Sequence, residues 1–469
     1  MKGEDKMKQF RQRYLGDRAF YGKVLTIAIP IIIQNFITNF VGMLDNIMVG
    51  RMGTDQMNGV AIVNQLMFVF FLCVWGAVSG AGIFSAQYYG KGDHEGVRDT
   101  FRGKIVLVSI VLLIGCGIFL VFGDTLVSQF LHKTDGVGNA EATLAYAHSY
   151  LRIMLIGLVP FVIGNAYSNT LRDIGQTMLP MKAGIIAVFV NLILNYVLIF
   201  GHFGMPGLGS DGAAIATVVS RFVETGIMIV WTHTHKEQAK FIVGAYRTLR
   251  IPLSLVKQII IKGTPLAVNE ALWSIGMTVL NQNYSLRGLA VVGAFNISTT
   301  ITNLFGVVYI AMGDAVAIIV GQLLGAKKMD EAKDTDRKII FFSFSLCVVI
   351  AAILACTSSL FPAIYNTEQQ VKDLAAMLIR ISALFMPMWA LMHCCYFTLR
   401  TGGVTFVTFL FDSFFMWVVE IPVVFLLAHF TAIPAQMLYL SVQLTELIKV
   451  VIGIALVKKG IWVKNIVGN

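Results

Sequence analysis

The stretch GKVLTIAIPIIIQNFITNFVGMLDNIMVG, residues 22–50, decides the fold. Its apolar residues form a near-continuous run rather than the stripe of a soluble amphipathic helix, and its one carboxylate is Asp45. About 20 helical residues cross the ~30 Å hydrocarbon core of a bilayer, so this run is long enough to span. It is too long for the apolar part of a cleavable signal, and no leader is expected. Eleven further runs follow, at 57–88, 102–122, 143–170, 178–200, 211–234, 256–283, 290–321, 338–361, 372–399, 404–428 and 435–458. Together they predict an all-α polytopic membrane protein with twelve transmembrane helices. Composition agrees: the 469 residues are 57% hydrophobic and 13% charged, against about 45–50% and ~25% in soluble chains. A mean hydropathy of +0.75 leaves too little polar surface for water-soluble domains. It also excludes disordered, collagenous and disulfide-scaffold classes.

A net charge of +10 raises the question of nucleic acid, but the basic residues sit at the ends of apolar runs, where they orient spans. With the N-terminus placed in the cytoplasm, 28 of the 36 Lys and Arg residues fall on that side. Four (Arg51, Lys133, Arg287, Lys372) fall opposite, and four (Arg152, Arg221, Arg380, Lys449) fall within spans. Both termini are therefore expected inside, and no nucleic acid partner is expected. The six cysteines all lie in apolar segments without CxxC spacing, so neither a disulfide framework nor a zinc site is read from them.

The chain repeats itself. A shift of 235 residues aligns Pro30 with Pro265, Asn46 with Asn281, Gly53 with Gly288, Gln87 with Gln322 and Gly90 with Gly325. A shift of 228 pairs Thr170-Leu171-Arg172 with Thr398-Leu399-Arg400 and Gly175 with Gly403. Six spans per repeat is an even number, which makes the halves parallel repeats about an axis along the membrane normal. The expected organisation is two pseudo-symmetric six-helix lobes. A cytoplasmic segment (1–21) leads into an N-lobe (22–234), a basic linker (235–255), a C-lobe (256–458) and a cytoplasmic tail (459–469).

A carboxylate at bilayer depth costs about 2.5–3.5 kcal/mol or more, so each one is a functional candidate. At 100° per residue Gln34, Thr38, Val41 and Asp45 share a ~60° face. A second stripe, Asn35, Asn39 and Asn46, maps through the repeat onto Glu270, Ser274 and Asn281, whereas Asp45 maps onto Leu280. An ionic site private to the N-lobe is expected at Asp45, with a different acid, Glu270, in the C-lobe. In the fifth span Asn191 and Asn195 lie one turn apart, and with Thr217 on the sixth they offer neutral oxygens to a cation balanced by Asp45. Asp45 is thus a candidate Na⁺ ligand; the same carboxylate can instead take up a proton. The bland alternative for the asparagines is hydrogen bonding between helices. Arg221/Glu224 and Glu446/Lys449, spaced i, i+3, are expected to pair each on its own helix. Asp412 and Glu420 project about 80° apart and are read as bordering a cleft, and Asp314 lies mid-span with its role open. No GxxxxGK[ST], HExxH or GxSxG occurs, and nothing reads as an enzyme.

At Asp45-Asn46-Ile47-Met48-Val49-Gly50-Arg51, at Ala86-Gln87-Tyr88-Tyr89-Gly90 and at its echo Val320-Gly321-Gln322-Leu323-Leu324-Gly325-Ala326, the chain resembles the multidrug and toxic compound extrusion (MATE) family of secondary transporters. The resemblance covers the whole chain. It implies an antiporter that exports amphiphilic, mostly cationic organic compounds in exchange for Na⁺ or H⁺, with no other cofactor. It implies Asp45 as the coupling carboxylate, with Asn191, Asn195 and Thr217 around it. One branch of the family has an aspartate where this chain has Asn195; another has a seventh-span glutamate similar to Glu270, which here lies about one turn nearer Pro265. The expected cleft set is Gln34, Asn35, Glu270, Asn281, Asp412 and Glu420. A monomer in the cytoplasmic membrane of a bacterial cell is expected, with organic cations and the lipid bilayer as partners. Two other readings remain: a flippase for lipid-linked saccharide precursors, and a non-transporting membrane receptor or scaffold.

Overall fold

The computed structural model describes residues 2–128, 139–202, 204, 206–248, 250–365 and 367–468; Lys133 lies outside them. A short helix, α1 (Lys2–Tyr14), precedes α2 (Arg18–Gly50), α3 (Thr54–Lys91), α4 (His94–Ser128), α5 (Ala140–Asp173), α6 (Met178–Phe200) and α7 (Gly209–Thr234). Then come α8 (Leu253–Ser285), α9 (Leu289–Gly325), α10 (Met329–Thr357), α11 (Gln369–Thr401), α12 (Thr405–Phe430) and α13 (Ala435–Lys459). The helices α2 to α13 follow the twelve sequence-read spans in order. Among the described residues, eleven helices are long and apolar enough to cross a membrane. The helix outside that set is α8, whose 33 residues suffice in length but carry Lys257, Lys262 and Glu270. The molecule is an all-α, multi-pass membrane protein.

The chain forms two compact units that interleave in sequence. One holds Met1–Ile32, Ala86–Asp93 and Ile261–Asn469; the other holds Ile33–Ser85 and His94–Ile260. Two of the changes of unit fall close to prolines. Pro30 lies inside α2 just before the change at 32/33, and Pro265 lies inside α8 just after the change at 260/261. Each proline removes an intrahelical hydrogen bond, which is where a helix can bend.

The repeats have a local cause. Gly175 and Gly403 sit at φ +85° and +73°, a conformation that glycine adopts without steric cost. The amide of Gly175 donates to Arg172 O at 2.8 Å and that of Gln176 to Leu171 O at 2.8 Å. Gly403 repeats this on Arg400 O at 2.9 Å, and Val404 on Leu399 O at 3.1 Å. Both repeats therefore stop a helix with the same Schellman turn. At Gly90 and Gly325 the requirement is close approach: a Cβ on Gly90 would lie 1.9 Å from Gln322 O, and one on Gly325 1.8 Å from Gln87 O. The two equivalent turns thus pack backbone to backbone on each other.

Two basic side chains are satisfied within their own units. Lys104 on α4, sorted above with the cytoplasmic charges, is fully buried and donates to Asp173 Oδ2 at 2.6 Å and to Thr170 Oγ1 at 3.1 Å. Arg287 donates to the carbonyls of Leu427, Ala428, Thr431 and Ile433 at 2.7–3.1 Å, so its charge covers the C-terminal end of α12. The last residues are stitched down. Gln87 Nε2 donates to Thr401 O at 3.0 Å and Lys464 O at 3.3 Å, and Gln87 Oε1 accepts from the Ile466 amide at 2.9 Å. Asn465 donates to Leu324 O at 2.8 Å and Gly325 O at 3.0 Å, while Trp462 is only 1% exposed. Trp462→Ala is expected to cost about 3–5 kcal/mol. Thermal unfolding of the purified protein in detergent should show a clearly lower midpoint; an unchanged midpoint would mean that the tail is not held as described.

Candidate cation site

Asp45 lies five residues before the end of α2, half-buried, and faces α6. The local reason is the spacing on α6: Asn191 and Asn195 are one turn apart, which puts both amides on the same face. Asn195 Nδ2 donates to Asp45 Oδ1 at 2.7 Å and to Asn191 Oδ1 at 3.1 Å. Asn191 Nδ2 lies 3.4 Å from Thr217 Oγ1 on α7. With the Asn191 amide turned about, its nitrogen lies 3.1 and 3.2 Å from the two Asp45 oxygens. The asparagines are 6% and 1% exposed. Asn195 Oδ1 is buried with no hydrogen-bond partner among the described residues. One carboxylate, two amides and a hydroxyl form an all-oxygen donor set of the sort hard cations take. Amides can donate to the bare carboxylate and, when turned, offer oxygen to an ion.

A cavity of about 280 Å³ opens beside this cluster, near the lower end of the range for small-molecule sites. Asp45, Asn195 and Thr217 line it, together with Asn64, Tyr150, Phe161 and Arg221. The Arg221 guanidinium sits 5.1 Å over the Phe161 ring and 3.5 Å from Glu224, the expected pairing on its own helix. The combination is one acid, one base and aromatic walls. Sequence reading did not single out Asn64 or Tyr150: Asn64 stands beside Gln65 and Tyr150 follows His148 and Ser149, with no spacing that marks either.

The acids of the other unit are placed differently. Asp412 and Glu420 do converge, but on a lysine. Lys449 Nζ on α13 lies 3.3 Å from Asp412 Oδ1 and 3.3 Å from Glu420 Oε1. This corrects two expectations. Lys449 takes its partners from α12 instead of pairing with Glu446, because the acids there lie closer in space than spacing along one helix could reveal. Glu420, 1% exposed, is enclosed with that lysine and does not border an open cleft. Asn269, which sequence reading passed over, donates to Asp412 Oδ2 at 2.9 Å. The repeat held a signal for it, since Asn269 is the equivalent of Gln34. Gln34 itself accepts from Arg172 Nη2 at 2.5 Å. Glu270 is half-buried and makes no hydrogen bond or ion pair within 4 Å among the described residues. Asn35 is half-buried in the unit that also holds Asp45, and Asn281 is exposed in the other unit. The Asn46 side chain lies outside the described residues.

The MatE family model matches residues 30–197 and 265–426, the two repeats in turn. The chain is 24% identical to "Probable multidrug resistance protein YoeA" of Bacillus subtilis, over 86% of each protein. It is 25% identical to "Probable multidrug resistance protein NorM" of Thermotoga maritima, over 87% of this chain and 86% of that one. Among solved structures, a MATE protein in the straight conformation superposes with a TM-score of 0.85 at 18% identity, covering 96% of this chain and 97% of the other.

Proposed function

The chain belongs to the MatE family of ion-coupled membrane transporters, and on that premise we propose that it exports amphiphilic, mostly cationic organic compounds in exchange for Na⁺ or H⁺ taken up at Asp45. The observation that carries this reading is the Asp45 carboxylate facing Asn195 at 2.7 Å inside a cavity. Among the described residues no basic side chain lies within 4 Å of it to form an ion pair. A half-buried carboxylate that makes no ion pair gains from an exchangeable cation. Asn191 and Thr217 complete the oxygen set, and the Tyr150 and Phe161 rings give an organic guest an apolar wall. Glu270 is the acid of the other unit left open to a cationic cargo. Both termini lie in the cytoplasm, following the excess of Lys and Arg on that side, and the working form is a monomer.

Exchange requires that cation and cargo each prefer a different arrangement of the protein; a ligand indifferent to the two states moves nothing. A flippase for pyrophosphate-linked sugars would want a strongly cationic cavity. The one here balances Arg221 against Asp45. The test is a reconstituted vesicle loaded with a cationic fluorescent dye, with a sodium or a proton gradient imposed separately. One of the two gradients is expected to drive dye movement, which names the coupling ion. Movement under neither gradient, with correctly inserted protein, would overturn the antiport reading and favour a receptor or scaffold.

A further inference from the structure

The second unit carries its own cation. Lys449 is 1% exposed, and its ammonium sits 3.3 Å from an oxygen of Asp412 and 3.3 Å from one of Glu420. Both acids lie in π-helical turns of α12, Leu410–Phe414 and Met416–Glu420. Wide turns of this kind recur at functional sites in proteins. Asp412 is fixed from behind by Asn269, which also accepts from the Ser413 amide at 3.2 Å. Two carboxylates held this way, Glu420 buried and Asp412 half-buried, form the oxygen environment that a hard inorganic cation would seek. Here they are compensated by the Lys449 ammonium, and an unpaired charge left buried would be strongly destabilising. Arg221, on the corresponding last span of the other unit, behaves in the opposite way: it pairs at 3.5 Å with Glu224 on its own helix and leaves Asp45 without an ion pair.

We infer that Lys449 is a specificity-determining residue: its ammonium fills, from within the chain, the place between Asp412 and Glu420 that an alkali cation would otherwise occupy. These two acids then bind no coupling ion while the lysine is seated, and inorganic-cation binding is left to the Asp45 side. The inference rests on the reading of Asp45 as the exchangeable site. Its test needs no transported substrate, so a failure of the export reading leaves it standing.

The experiment measures ²²Na⁺ binding and thermal unfolding of the full-length protein in detergent, with choline replacing sodium to hold ionic strength constant. The parent is Asp45→Asn, which removes the first site. With Lys449 in place it is expected to bind no saturable sodium. Asp45→Asn combined with Lys449→Met is expected to bind one sodium per chain and to unfold at temperatures that rise with sodium concentration. Adding Asp412→Asn should abolish both effects. Saturable sodium binding by the parent, or a folded Lys449→Met form that binds no more sodium than the parent, would overturn the inference. Failure of Lys449→Met to fold even in saturating sodium would also count against it, since sodium is required to replace the ammonium. Recovery of folded protein by sodium but not by choline would support it.

Discussion

Asp45→Asn is expected to abolish uphill, gradient-driven dye efflux at undiminished membrane expression. The substitution keeps the shape of the side chain and removes its charge. Asn195 would still find an oxygen acceptor at residue 45, so the 2.7 Å contact and the packing of α2 against α6 have no reason to fail. The charge that makes a cation worth binding is what disappears. Neutral oxygens from Asn191, Asn195 and Thr217 alone offer a cation little against its hydration in water. Cargo can still enter the cavity, and downhill leakage should persist while uphill movement is lost. The measurement is efflux from vesicles under the driving gradient, wild type against variant at matched protein content. Equal rates would remove Asp45 from the mechanism.

Gly325→Ala and Gly90→Ala are expected to prevent accumulation of folded protein. A Cβ at 325 would stand 1.8 Å from the Gln87 carbonyl oxygen and one at 90 would stand 1.9 Å from that of Gln322. Overpacking against movable side chains costs about 1–3 kcal/mol. Here the obstacle is backbone, which cannot rotate away, so the cost lies at or above the top of that range. Each substitution would also push apart the contact on which the tail residues Asn465 and Ile466 are pinned. The comparison is Gly117→Ala, a position on α4 with open space around it, which should leave yield unchanged. Monodisperse protein recovered by gel filtration separates the outcomes. Equal recovery for all three would show that the two turns do not approach so closely.

The reach of the sequence differs from feature to feature, for physical reasons. Asp45, Asn191 and Asn195 were legible because polar groups stand out in a hydrocarbon-length run, and because one-turn spacing fixes which of them share a face. Gly175 and Gly403 were legible as a repeat, but their work as paired helix stops needed the backbone angles. The Lys104–Asp173 pair was missed because a lysine at the edge of an apolar run reads as a loop charge. Only the packing of α4 on α5 shows it buried at 2.6 Å from an acid. Lys449 was read with Glu446, three residues away on α13, when its ammonium is held by Asp412 and Glu420 of α12.

By itself, then, the sequence determined the twelve helices, their order, the internal duplication and the first-span carboxylate. These follow from the length of apolar runs and the cost of charge in lipid, which are properties of a segment alone. The tertiary structure alone decided which long side chain reaches which partner, where each unit begins, and that the final residues are sewn onto Gln87. Those outcomes depend on how each helix is rotated and where its neighbours lie, and a lysine with four methylenes can satisfy several sequence-compatible partners until packing leaves it one set.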